Sequence, residues 1–251
     1  MRIVIIGSGN VATVISRIIL DANHTIIQVF SRDIVHAKML ADQVQANYTC
    51  KMEDIDTSAD LYIFSVSDTA LYELPQRLSL QNKLVLHTAG SIPKDVLQKS
   101  SSKYGVLYPL QSLRKEMEQI PPIPFLVDGC NNEVTKEIKE FAETLSNIVS
   151  EANDEERLKL HVAAVVVSNF TNHLYALSED FCKNESVEFS MLFPLINETA
   201  CRIKDNSAAQ LQTGPALRND HITLDKHIKL LSHYPKLRNL YLKITDSIMS
   251  V

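Results

Sequence analysis

The sequence has no tryptophan, only four cysteines and only 6% aromatic residues in 251 positions. Each scarcity excludes something. A reductase that passes hydride to a flavin or deazaflavin needs a flat second-cofactor pocket, and so few aromatic residues give no sign of one. Cys50, Cys130, Cys182 and Cys201 lie far apart and form no Cys-x-x-Cys pair. They therefore read as reduced thiols in a cytoplasmic protein rather than as zinc ligands, and no metal is expected. Neither sign of charge dominates: 25 Lys and Arg stand against 30 Asp and Glu, a net charge of −5. That balance leaves no electrostatic footprint for nucleic acid. No apolar run is long enough to span a bilayer. The apolar start of the chain is too short for a signal peptide and runs straight into a glycine turn. Internal repeats and low-complexity segments are absent. The remainder, 45% hydrophobic and 22% charged, is the composition of a globular protein of one large or two medium domains.

The first twelve residues, MRIVIIGSGNVA, organise the rest. Ile3 to Ile6 is an unbroken β-branched run, as expected of a strand buried on both faces of a parallel sheet. Gly7 and Gly9 follow at once. Val11, Val14, Ile15, Ile18 and Ile19 then recur at helical spacing. In that context Gly-x-Gly-x-x-Ala reads as a dinucleotide site. Gly7 allows the sharp turn, Gly9 the approach of a pyrophosphate, and Ala12 close packing of helix on strand. Ser8, Asn10 and Val11 complete the turn, whose free N–H groups would hold the pyrophosphate. A second strand, Thr25–Phe30, ends in Ser31-Arg32. A hydroxyl and a guanidinium suit the 2′-phosphate of NADP better than the ribose hydroxyl of NAD. Asp33 stands one place too late for the usual NAD role.

Short apolar runs alternate with helical patterns up to about residue 150, which predicts an α/β domain built on a doubly wound parallel sheet. His36–Val44 reads as a helix and Leu61–Val66 as a strand. Val66, Ser67 and Asp68 fall at that strand's carboxyl end, where such sheets bind ligands. Asp68 also reads as the cap of a helix beginning at Thr69. Leu84–His87 predicts a strand that runs into Thr88-Ala89-Gly90-Ser91, a polar rim that includes His87. Pro93–Lys99 reads as a helix and Val106–Pro109 as a strand. Pro121, Pro122 and Pro124 mark a loop before a strand at Phe125–Val127. Asn132 would cap a helix to Leu145, and Asn147–Val149 reads as a last strand. From Asp154 helical periodicity takes over, with helices expected over Glu155–Lys183, Glu188–Asp205, Ile222–His233 and Lys236–Met249. The expected domains are residues 1–152, the nucleotide-binding half, and 153–251, an all-helical half for substrate binding and dimerisation.

On the long helix, LHVAAVVVSNFTNHLYAL projects His161, Ser168 and Asn172 within roughly 40° of one another at about 100° per residue. Asn169 falls roughly 80° from His161. The opposite side carries Val162, Ala163, Val166, Val167, Phe170 and Leu174 and is expected to be buried. A solvated face would favour Lys and Glu, so a row of Asn, Ser and His points to a wet cleft. His161 is the candidate acid, since both its forms are available near neutral pH. Asn169 and Asn172 would orient a substrate. In TGPALRND, Arg218 could anchor an anionic group, or could simply pair with Asp220 at a helix start. His87 and Tyr108 are reserves for proton transfer.

Taken together, GSGNVA, the SR after the second strand, HTAGS, YPLQS, HVAAVVVSNFTNHL and TGPALRND resemble bacterial NADP oxidoreductase-like proteins. These join a Rossmann-like domain to a helical domain. They are similar in architecture to pyrroline-5-carboxylate reductase, ketopantoate reductase and the 6-phosphogluconate dehydrogenase superfamily. The resemblance implies NADP as cofactor, hydride transfer to or from a small carbonyl or imine, and a homodimer formed through the helical domain. In the ketopantoate and hydroxyacid branches a lysine on the first helix of the second domain acts as general acid, with asparagines one and two turns on. Here that helix offers His161 and then Asn169, with Val165 between, and lacks the lysine. Three other readings stay open: a catalytically silent NADP-binding sensor or scaffold, a reductase coupling NADP to a flavin or deazaflavin, and a binding protein for sugar or acid phosphates.

Overall fold

In the computed structural model, which describes residues 1–250, β1 (Arg2–Ile6) lies inside an eight-stranded sheet. The other strands are β2 (Thr25–Phe30), β3 (Asn47–Thr49), β4 (Leu61–Phe64), β5 (Leu84–His87), β6 (Lys103–Pro109), β7 (Phe125–Gly129) and β8 (Val149–Glu151). Their order is β3-β2-β1-β4-β5-β6-β7-β8. Ile3 and Ile5 pack into one apolar core and Val4 and Ile6 into a second. Successive residues of a strand point to opposite faces, so a strand covered on both sides needs a continuous apolar run. The strand order reverses beside β1, between β2 and β4, which leaves a crevice at their carboxyl ends.

The sheet departs from the expected all-parallel one at a single pairing. β6 and β7 run antiparallel, whereas the other pairs are parallel. No helix forms between Leu110 and Pro124. Without a crossover helix, the proline-bearing loop returns the chain in the opposite direction. β3 escaped the sequence pattern because it is three mainly polar residues at the sheet's edge.

The connecting helices are α1 (Asn10–Asp21), α2 (Ile34–Val44), α3 (Asp68–Glu73) and α4 (Asn132–Leu145). Asn131, not Asn132, caps α4, its side chain accepting from the Val134 N–H at 3.0 Å. The expected helix over Pro93–Lys99 is only a 3-10 turn, Lys94–Leu97. α5 (Asp154–Ala164) opens with a capping box. Asn153 accepts from the Glu155 and Glu156 N–H groups, and the Glu156 carboxylate accepts from the Asn153 N–H, all at 3.0 Å.

The long helix expected over 155–183 changes its winding. After α5, residues Val165–Phe170 form a π-helix, and α6 (Thr171–Asn184) resumes the α form. In a π-helix the hydrogen bonds reach one residue further and each turn holds more residues. A uniform projection of about 100° per residue therefore fails between His161 and Asn172. The apolar side expected to be buried is exposed instead: Val162, Val166, Val167 and Phe170 are 50–72% accessible.

The chain divides into two compact units, Met1–Val165 and Val166–Val251. The second contains α6, α7 (Phe193–Arg202), α8 (His221–Leu230) and α9 (Pro235–Met249). α7 is shorter than the expected Glu188–Asp205 because Phe189–Leu192 forms a separate 3-10 turn before Pro194. Internally, Phe181 packs edge-on against Tyr234 at 5.0 Å, and the His227 Nδ1–Tyr241 Oη hydrogen bond spans 2.8 Å.

Candidate active site

Gly7 closes β1 with a φ of +123°, a conformation that suits glycine. A Cβ there would run into the Ser65 carbonyl oxygen at the end of β4. Gly9 is the opposite case, since a Cβ would meet nothing within 4 Å. It stands at the N-cap of α1 with extended backbone and no side-chain cap, so the first N–H groups of α1 face open space. A free helix N-terminus beside an unobstructed glycine fits a pyrophosphate. The turn lines a cleft of about 530 Å³, together with the carboxyl ends of β2, β4, β5 and β6. That volume is of the size that takes a small organic ligand.

Of the residues predicted to hold cofactor, Gly7, Ser8, Gly9, Asn10, Val11, Ser31, Arg32, Val66, Ser67 and Asp68 all line this one cleft. Ser8 Oγ donates to Ser31 Oγ at 2.8 Å and ties the glycine turn to the end of β2. Asp33 is removed from the cleft by its own local structure. It caps α2, accepting from the Val35 N–H at 2.8 Å and the His36 N–H at 3.3 Å, and these bonds lower its pKa. That leaves a hydroxyl and an exposed guanidinium at the rim, a donor set for a phosphate dianion. The Asn10 side chain accepts from the Lys115 N–H at 3.2 Å, and Arg17 donates to the Met117 carbonyl at 2.6 Å. Both bonds fasten the loop after β6 over α1.

Two expectations change here. Asp68 does not cap α3; Ser67 is the N-cap, and Asp68 accepts from the Ser91 hydroxyl at 3.0 Å. His87 does not line the cleft but lies beneath it, fully buried. Its Nδ1 accepts from the Ala89 N–H at 3.2 Å, which holds the turn after β5, and its Nε2 has no partner. Burial, with the nearby Arg157 charge second, pushes the His87 imidazole down to about 3. Its position as the last residue of β5, flanked on both sides by paired strands, directs it inward.

Another part of the cleft lining is built on Gly90. A Cβ at this glycine would come within 2.6 Å of His161 Nδ1 and 2.9 Å of Tyr108 Cζ. The bare backbone lets the two rings settle there, with Tyr108 Oη 2.9 Å from His161 Nδ1 and the ring planes at 77°. Tyr108 comes from the end of β6 and His161 from α5, and both line the cleft. Burial raises the Tyr108 pKa, and the Arg157 charge opposes that rise. Arg157, one helical turn before His161, is 1% accessible. Its Nη2 donates to the Ile92 carbonyl and to Asp154 Oδ1, each at 2.6 Å, while Nε and Nη1 have no partner. Gly90 and Arg157 carry no motif of their own. The only signal for Arg157 is a lone cation in the acidic DEER segment, four residues before His161.

Asn169, Asn172 and Arg218 belong to the second compact unit and are exposed there. Asn169 lies in the π-helical segment and Asn172 in α6. Asp220 caps α8 through the Thr223 N–H at 3.1 Å and hydroxyl at 2.7 Å, and Arg218 lends it a nearby positive charge.

Two family profiles match the chain. Residues 123–248 match the domain of unknown function DUF2520, and residues 2–90 match the family described as NADP oxidoreductase, coenzyme F420-dependent. Among solved structures, a Bacteroides fragilis protein classed as an NADP oxidoreductase is 38% identical. The alignment covers 100% of this chain and 98% of that one, with a TM-score of 0.93. Two others share the fold at 15% identity. Pyrroline-5-carboxylate reductase of Streptococcus pyogenes has a TM-score of 0.64 and coverage of 100% and 99%. Reductive aminase of Aspergillus terreus, solved with NADPH and ethyl levulinate, has 0.75 and coverage of 98% and 92%. No curated protein matches the chain.

Proposed function

We propose, from the premise that this chain belongs to the DUF2520 family and is an NADP-dependent oxidoreductase, that it reduces a small C=O or C=N substrate. One observation carries the reading: a hydrogen-bonded Tyr108–His161 pair shares a cleft with an uncapped helix N-terminus. When bound, NADPH supplies a hydride to the substrate carbon. The N–H groups of Ser8–Val11 would hold its pyrophosphate, since the Gly7 N–H already donates to the Phe30 carbonyl at 2.8 Å, and Ser31 and Arg32 would hold the 2′-phosphate. Val66, Ser67 and Asp68 border the ribose and nicotinamide. His161 donates a proton to the heteroatom, which gains negative charge as hydride arrives. On the helical unit, the polar side chains of Asn169 and Asn172 and the cation of Arg218 are the groups proposed from the sequence to orient a substrate and to anchor an anionic group. Structures of the same fold that are named imine reductases, from Myxococcus stipitatus and Streptomyces aurantiacus, place C=N beside C=O in the range to be screened.

We read residues 1–152 as the nucleotide-binding domain and 153–251 as the substrate and dimerisation domain. The many exposed apolar residues of the helical unit support a homodimer formed through it. No helix among the described residues is long and apolar enough to cross a membrane, and the four cysteines are free. These features accord with a place in the cytoplasm.

Thermal shift with NADPH, NADP, NADH and NAD, followed by a screen of small keto acids and cyclic imines, tests the reading. NADPH should raise the Tm most. Arg32→Glu should weaken NADPH binding about 10- to 100-fold, roughly 1.4–2.8 kcal/mol, and leave NADH little changed. No stabilisation by any dinucleotide would refute the cofactor assignment. The profile matched by residues 2–90 favours a second reading, hydride exchange between NADP and a deazaflavin. Rapid reduction of deazaflavin by NADPH, with no turnover of carbonyls or imines, would establish it.

A further inference from the structure

Arg157 is a full positive charge in a place with almost no water. It is 1% accessible, and one partly exposed carboxylate, Asp154, is its ion-pair partner. Two of its three guanidinium nitrogens, Nε and Nη1, have no partner. Burying such a group is unfavourable unless it is paired and fully hydrogen-bonded, and here only Nη2 is bonded. Its surroundings are the groups that could move a proton. His161 follows it by one turn of α5, and its charge is felt by both Tyr108 and His87. His87 is held neutral, with Nδ1 occupied by the Ala89 N–H, so it cannot share the charge. Tyr108 is the remaining candidate, since its phenolate is the form that a buried cation stabilises.

We propose that Tyr108 and His161 form one proton relay, and that the buried guanidinium of Arg157 is the positioning charge behind it. This deepens the reductase reading above and rests on it. As hydride reaches the substrate carbon, the His161 Nε2–H bond breaks and the proton joins the substrate oxygen or nitrogen. Nδ1 takes the Tyr108 hydroxyl proton across the 2.9 Å hydrogen bond, so the imidazole leaves the step neutral. The phenolate formed at Tyr108 is stabilised by Arg157 and regains a proton from solvent. The direction requires Tyr108 Oη–H to donate to Nδ1. Nε2, which has no partner among the described residues, is then the outgoing donor. Gly90 is part of the device, because any side chain there would force the rings apart.

The relay predicts a defined resting state that NMR can read without any substrate. With ¹³C,¹⁵N-histidine labelling, and His161 assigned by its loss in His161→Gln, the ring should be the Nε2-protonated tautomer at neutral pH. It should lose that preference in Tyr108→Phe. In turnover with NADPH and whichever carbonyl or imine the screen finds, Tyr108→Phe should lower kcat about 10- to 100-fold. It should also reduce the solvent isotope effect, with the NADPH thermal shift unchanged. Tyr108→Phe with His161→Gln should be no worse than the poorer single variant, because the two act as a unit. Arg157→Met should lower kcat and raise the pH at which activity falls in the alkaline limb, while Arg157→Lys restores both. An Nδ1-protonated His161, or additive losses in the double variant, would overturn the relay. If NADPH itself fails to stabilise the protein, the cofactor reading falls instead, and the tautomer measurement still decides the relay geometry.

Discussion

The two compact units handle their apolar residues in opposite ways. In Met1–Val165 the strands bury theirs on both faces of the sheet, and Ile3, Val4, Ile5 and Ile6 are all at 0% accessibility. Among the described residues of the second unit, only Cys182, Ala216, Leu224 and Leu231 are buried apolar residues, against thirteen large hydrophobic residues left exposed. Met191, Ile222 and Val167 reach 78%, 73% and 72%. Isolated helices gain most of their stability from packing an apolar face. A helical unit with so many uncovered faces therefore has the composition of half a core, while the sheet unit closes its own.

The sheet unit should thus break from within, at its tightest point. Gly7→Ala combines a positive φ with a Cβ driven into the Ser65 backbone carbonyl, a group that cannot swing aside. A loss of about 4 kcal/mol or more in urea unfolding is expected, together with loss of NADPH binding. Gly9→Ala is the contrast, since its Cβ meets open space. Stability should change by less than about 0.5 kcal/mol, while NADPH binding weakens because the methyl group occupies the pyrophosphate's place. If the two variants behaved alike, the separate roles given to the glycines would be wrong.

The helical unit should break from outside, by removal of its cover. At micromolar concentration the protein should elute as a dimer, with mass measured by light scattering. Val167→Glu with Ile222→Glu should raise the dimer dissociation constant about 100-fold, roughly 2.7 kcal/mol, through the burial of charge in an apolar interface. NADPH should still stabilise the resulting monomer, since the glycine turn lies in the other unit. A wild-type monomer that shows no change with these substitutions would remove the dimer reading.

The same contrast sets how far the sequence could be read. Strands fully covered within the chain, such as Thr25–Phe30 and Leu84–His87, announce themselves at their true boundaries, because burial on both faces demands an apolar run. The glycine turn is legible too, since the local sequence brings Gly7, Gly9, Ser31 and Arg32 to the lining of one cleft. The lining around Gly90 is less so. Gly90 matters only because Tyr108 and His161 arrive from two distant segments, and a lone glycine cannot announce visitors. Val162, Val166, Val167 and Phe170, projected along the long helix, are exposed, because periodicity says only that residues are apolar, not that the same chain covers them. The π segment at Val165–Phe170 gives no local signal either, because a run of valines is compatible with either winding.

The smallest expected effect sharpens the description of the sheet unit, whose closed core contains one titratable group that must stay uncharged. His87 has its folded pKa pushed from 6.5 down to about 3, first by burial and then by the Arg157 charge. Between those values the unfolded chain binds a proton that the folded chain refuses. Stability is therefore fully present above pH 6.5 and declines as pH falls toward 3. The slope attributable to this one residue approaches about 1.4 kcal/mol per pH unit. Urea unfolding at fixed protein concentration between pH 6.5 and pH 5 keeps most carboxylates out of the measurement, and comparison with a His87 variant separates His87 from His24, whose pKa burial also lowers. His87→Asn retains an acceptor for the Ala89 N–H but has no proton to take up. Its absolute stability should fall at neutral pH, yet its stability should vary less steeply with pH than that of the wild type. Parallel slopes would mean that His87 is hydrated in solution and that the sheet unit is not closed at the floor of its cleft.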